Sequence, residues 1–340
     1  MTHSLFRLAT VAAAAIVGMV GVGEAQAAAT IINPAGTVAL GVNDAGHLNT
    51  SVGNVATVGD TGVAWKFPDG SWRDATSPGC LCEGWGVAVN HATQGNASVD
   101  NGGIVNITVD SFTSTATTAT SSVHLTSLPG LSVLQEYAPS ATVPGNLYND
   151  HVTITNSTGG SVSNVQYSRV MDWDVPPTEF SEFVTINGVT TTTDLVFSND
   201  NGFCSPNPLS LTTGGCSEIS SGTTNVNFFK AGVADHGAAF VFDFGSLADG
   251  ASKSFDIVYG AAANEADALA VVSAASLELY SLGYSRSPTD GLANVNSPVF
   301  VFGFVGVGGT PVIPGVPEPS SLALLGLGLL GLAARRRRKA

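Results

Sequence analysis

The chain is predicted to be an all-β protein, a large antiparallel β-sandwich with one α-helix late in the sequence. Threonine, serine, valine, glycine and asparagine dominate its interior while lysine, glutamate and methionine are scarce, a palette for strands and turns. Short segments of alternating polarity follow one another from residue 105 to residue 305. Turn signals separate them, among them Asn101-Gly102-Gly103, Pro129-Gly130, Pro144-Gly145, Asn187-Gly188 and Asp249-Gly250.

Strands are expected over residues 105–109, 123–128, 133–137, 151–155, 165–171, 183–186, 194–197, 226–229, 239–244, 254–259 and 299–305. Phe240, Phe242 and Phe244 share one face at period two, so that strand is expected to bury its phenylalanine side. The helix is expected over residues 264–283. Asn264 can cap it, Glu265 and Asp267 suit the positive end of its dipole, and Ala268, Val272, Ala275, Leu279 and Leu282 recur at helical spacing before Gly283. The Ser/Thr-rich stretch 111–122 is either a boundary or an exposed strand. A single secreted domain over 28–305 is the favoured division, followed by a Gly/Pro linker, 306–316.

Both ends read as processing segments. Arg7, an apolar run over residues 8–22 and the small-x-small triplet Ala25-Gln26-Ala27 make residues 1–27 a secretory signal peptide. At the other end come Pro317-Glu318-Pro319, an apolar run over 322–334, and the cations Arg335, Arg336, Arg337, Arg338 and Lys339. The apolar run would rise only about 20 Å as a helix, against about 30 Å of bilayer hydrocarbon, and the cations beyond it favour the cytoplasmic side. Pro317 and Pro319 keep Glu318 in extended backbone.

This proline, apolar, basic order resembles the PEP-CTERM sorting signal, residues 317–340 here. The resemblance implies a Gram-negative source and processing by signal peptidase and an exosortase. It also implies transient inner-membrane anchoring before delivery to the cell surface or extracellular matrix. Without the two ends, 6 of 12 basic and 24 of 26 acidic residues remain, and the formal charge moves from −14 to −18. Such a surface argues against nucleic acid and anionic lipid as partners.

Four cysteines, Cys80, Cys82, Cys204 and Cys216, fall in the exported part, where an even count reads as disulfides. Pairing within each loop and pairing across the fold both fit. A thiolate metal site fits less well, because Cys-x-Cys is not the usual zinc spacing.

Met171-Asp172-Trp173-Asp174 is the most suggestive interior stretch. On a strand, Asp172 and Asp174 share one face about 7 Å apart with Trp173 on the other, and Glu179 and Glu182 follow closely. Asp172, Asp174, Glu179 and Glu182 could serve as acid and base on a polysaccharide, could hold calcium, or could simply end a strand. Trp65, Trp72 and Trp85 could stack on sugar rings or fill core. Histidines show no ligand spacing, and neither a nucleophile elbow nor a phosphate loop is present.

Residues 40–48, 148–155 and 167–174 are similar to the non-catalytic β-supersandwich domains of carbohydrate-active proteins, a likeness that implies a fold class only. The leading expectation is an exported, non-enzymatic structural or glycan-interacting protein of the envelope or exopolysaccharide matrix, with no cofactor. The alternatives are a polysaccharide-acting enzyme and a calcium-stabilised adhesion module.

Overall fold

A computed structural model describes residues 27–313; the signal peptide and the sorting tail lie outside the described residues. The chain forms three antiparallel sheets. A four-stranded sheet runs in chain order through Ala28–Ile32, Val38–Asn43, Val63–Lys66 and Trp72–Asp74. A nine-stranded sheet has the order Phe228–Ala234, Glu182–Asn187, Leu279–Tyr284, Val299–Val305, Ser252–Ala262, Leu147–Asn156, Leu128–Pro139, Ala119–Leu125 and Ile107–Ser114. The five-stranded sheet has the order Leu195–Asn199, His236–Asp243, Gln166–Trp173, Gly84–Val89 and Thr93–Ser98.

One apolar core draws on all three sheets, with the two smaller ones packed on the same large sheet. Aromatic pairs stitch five strands to nine: Phe240 meets Phe302 and Phe304, Phe242 meets Phe304, and Tyr167 meets Phe255 edge-on. Phe240 and Phe242 are buried as their alternation requires. The opposite face of their strand is buried too. Ala239 and Val241 pack beneath the Cys204–Cys216 disulfide and Leu211 of the short helix Pro208–Thr212.

All eleven segments expected as strands overlap strands, though 123–128 runs across the turn between Ala119–Leu125 and Leu128–Pro139 and 226–229 starts two residues early; residues 111–122 lie in the hairpin of Ile107–Ser114 with Ala119–Leu125. The expected helix is only half there. It spans Glu265–Ala274, with Asn264 accepting from the Asp267 amide as the capping pattern requires. Ser276 then takes a positive φ of 55°, and Leu279–Tyr284 is a strand. Leu279 and Ser281 face the inter-sheet core, while Tyr280, Leu282 and Tyr284 lie beneath the helix. A strand buried on both faces carries apolar residues at nearly every position, so helical spacings within it are coincidental. Gly283 is no helix cap: a Cβ there would lie 2.8 Å from Val175 and 2.9 Å from the Trp173 ring.

Candidate functional site

Asp172 and Trp173 end the strand Gln166–Trp173, with Asp172 opposite Gly237 and Trp173 opposite His236. Alternation sends the side chains to opposite sides. Trp173 turns into the core, donating its indole N–H to Ser281 Oγ at 3.0 Å beside the Phe300 ring. Asp172 and Asp174 turn the other way. Asp174 is anchored by its own amide, which donates to the Ala75 carbonyl at 2.7 Å and ties this end to the four-stranded sheet.

Asp235 is the single residue linking Phe228–Ala234 of the nine-stranded sheet to His236–Asp243 of the five-stranded sheet. Glu182 begins the neighbouring strand, paired with Ala234. The crossover places Asp172, Asp174 and Asp235 so that one carboxylate oxygen from each lies within 4.8 Å of the others. Close backbone approach makes this possible. A Cβ on Gly237 would sit 1.9 Å from the Met171 carbonyl oxygen, and one on Gly202 would sit 2.4 Å from Asp172 Cα.

The cluster is almost sealed. Asp172 is 1% exposed and Asp174 and Glu182 are 0% exposed, while Asp235 stands at the surface. Glu182 Oε1 accepts from the His236 amide at 2.9 Å. Asp172 Oδ1, both oxygens of Asp174 and Glu182 Oε2 accept from no described residue. Burial pushes all four acids above the usual carboxylate range; neighbouring carboxylates add to the rise at Asp172, Asp174 and Glu182, which reaches about 9, while His236 pulls Asp235 the other way. Asp74 adds to the repulsion on Asp174, but its own oxygens already accept from the Gly62 and Thr76 amides.

Glu179 does not join the group. It lines a separate cleft of about 210 Å³ with Asp74, Arg73 and Pro177. Trp85 and Trp65 are corrections to the stacking expectation. Trp85 is fully buried, stacked on Tyr167 with its indole N–H donating to the Ala45 carbonyl, and Trp65 is 8% exposed. Neither ring offers a free face to a sugar. Trp72 is half-buried, with Lys66 Nζ 5.8 Å from its ring. Cys204 pairs with Cys216 across Cα atoms 5.5 Å apart, and Cys80 pairs with Cys82.

A wider basin of about 790 Å³ opens nearby, lined by Phe67, Arg73, Arg286, Asn294, Asn296 and Asp290 among others. The Arg73 guanidinium lies 4.4 Å over the Phe67 ring and is steadied by Asp69 and Ser71. Arg286 is exposed; its Nε donates to the Gly291 carbonyl, and it has no carboxylate partner among the described residues.

Sequence reasoning missed Asp235 and the basin. Asp235 carries no spacing signal, because only the crossover brings it to Asp172. It also missed a second buried polar group between the sheets. There Arg169 pairs with Glu83, donates to Gln135 Oε1 at 2.8 Å, and lies 3.8 Å from Asp150. All three charged residues of that group are 0% exposed.

Comparison with known proteins places residues 315–338 in the PEP-CTERM protein-sorting motif. The motif marks the chain for export and exosortase sorting to the envelope or cell surface. No curated protein matches it in sequence. Among solved structures, it is similar to a galactose mutarotase related enzyme from Lactobacillus acidophilus, at 9% identity over 82% of this chain and 86% of that one, with a TM-score of 0.29. A superposition that loose bears on neither site nor chemistry. Among the described residues, no helix is long and apolar enough to cross a membrane.

Proposed function

We propose that this protein is a non-enzymatic component of the envelope or exopolysaccharide matrix that holds glycan in the basin between Arg73 and Arg286. One observation carries the reading: the acids that converge are enclosed, whereas the open basin is lined by hydrogen-bonding groups with a single carboxylate, Asp290. A glycosidase needs two carboxyls facing one accessible sugar, about 5–10 Å apart. Asp172, Asp174 and Glu182 offer the proximity without the access. Two arginines, two asparagines and neighbouring serines suit a hydroxyl-rich chain, and the Phe67 ring holds the Arg73 fork in one orientation.

Binding of the purified protein to the producing organism's exopolysaccharide tests this. Arg286→Ala should weaken binding by about tenfold or more, the cost of a lost charge-assisted hydrogen bond, with Tm unchanged. Unaltered binding in Arg286→Ala and Asn296→Ala would remove the basin from the account.

A further inference from the structure

We propose that Asp172, Asp174, Glu182 and Asp235 together hold a calcium ion that clamps the five-stranded sheet to the nine-stranded sheet at the crossover. The grouping of acids is one observation. The second is independent: Asp172 Oδ1, Asp174 Oδ1 and Oδ2, and Glu182 Oε2 are enclosed without a donor from any described residue. A buried carboxylate oxygen that accepts nothing is costly, and proteins satisfy such groups with donors, water or a cation.

The chemistry of the set selects the ion. All the converging atoms are carboxylate oxygens, a hard donor set for calcium or magnesium and a poor one for copper. Zinc prefers nitrogen and sulfur. The sulfurs adjoining Asp172, those of Cys80 and Cys82, are paired with each other, and His236 directs Nδ1 to Asp200 at 3.2 Å. Oxygens of Asp172, Asp174 and Asp235 spread over as much as 4.8 Å match the long and variable bonds of calcium. Magnesium demands a tighter octahedron and keeps several waters, for which a nearly sealed pocket is unsuited.

The location gives the ion a structural task. Asp172 lies at the end of a strand of the five-stranded sheet and Asp174 just follows it, Glu182 starts a strand of the nine-stranded sheet, and Asp235 is the linker between the two. Without a cation their mutual repulsion opposes closure of this end; with one it becomes attraction to a common centre. Because Asp235 alone is exposed, it stands at the entry path. Four carboxylates can neutralise one or two dications, and the stoichiometry of binding reads which.

The test is a calcium titration of the purified protein stripped with EGTA, followed by calorimetry and thermal melting. Calcium at 1 mM should raise Tm by at least about 5 °C, and 1 mM magnesium should raise it by much less. Asp235→Asn should weaken calcium binding by about tenfold or more. Asp174→Asn should abolish the calcium-dependent rise while increasing Tm in EGTA, because it removes a carboxyl buried without a donor. A residue needed only for folding would lower Tm under both conditions. No heat and no Tm shift at 10 mM calcium, an equal response to magnesium, or a calcium response retained in both variants would each overturn the assignment.

Discussion

Asp172 ends a strand of the five-stranded sheet and Asp235 is the link into that sheet from the nine-stranded one; 62 residues lie between them in sequence, yet a carboxylate oxygen of each lies within 4.8 Å of the other. The contact depends on backbone closeness at Gly237, opposite Asp172, where a Cβ would fall 1.9 Å from the Met171 carbonyl oxygen. Gly237→Ala must therefore force the two strands apart. It should cost more than about 3 kcal/mol, read as a fall in denaturation midpoint, and calcium should no longer shift the Tm. A variant with native Tm and an intact calcium response would contradict this geometry.

Arg169 is the only cation near Glu83 and Asp150 among the described residues, and all three are enclosed. Arg169→Leu keeps most of the volume but leaves buried acid without its counter-charge. The expected loss is about 3–5 kcal/mol by chemical denaturation. A loss under about 1 kcal/mol would mean that the ion pair has little structural weight.

Asp150 supplies a pH dependence with a definite sign. Burial raises its carboxyl to about 7, with Arg169 pulling in the opposite direction, whereas an unfolded aspartate titrates near about 3.9. Between those values the folded chain binds the extra proton. The stability from this group is therefore full below about pH 4 and is lost as pH rises through about 7. Asp150→Asn stays neutral throughout, so its stability relative to the parent should improve by about 2–3 kcal/mol between pH 5 and pH 8. Equal differences at the two pH values would rule out the titration.

The Cys204–Cys216 disulfide closes a short loop over Val241 and Ala239. On the chain-entropy account, Cys204→Ser should cost about 3 kcal/mol. Melting the parent and the variant with and without reductant separates this loss from that of reducing Cys80–Cys82.

Runs of β-forming residues between turn signals located every strand from Ile107 onward except Leu279–Tyr284, including Gln166–Trp173 and Val299–Val305, which are buried on both faces. The pattern failed where two-sided burial coincided with helical spacing or with a glycine-rich segment. Leu279–Tyr284 reads as helix because both of its faces are apolar, and Gly84–Val89, glycine-rich and also buried on both faces, escaped notice. The four strands of the first sheet are short and rich in small residues, with little periodicity to read. Three of the four clustered acids were legible: Asp172 and Asp174 follow from period two, and Glu182 from its nearness in sequence. Asp235 was not, since a crossover between sheets leaves no local pattern. The tryptophans left stacking and core filling both open because residue type does not encode exposure, and Trp85 and Trp65 fill core.

On the proposed function, this exported protein retains polysaccharide without cutting it. Incubating the purified protein with the producing organism's exopolysaccharide, and following sedimented complex and new reducing ends together, tests that most directly. The account predicts saturable complex formation, lost in Arg286→Ala, with reducing ends at the level of the protein-free control. Time-dependent release of reducing ends, abolished by Asp174→Asn or Glu182→Gln, would contradict it.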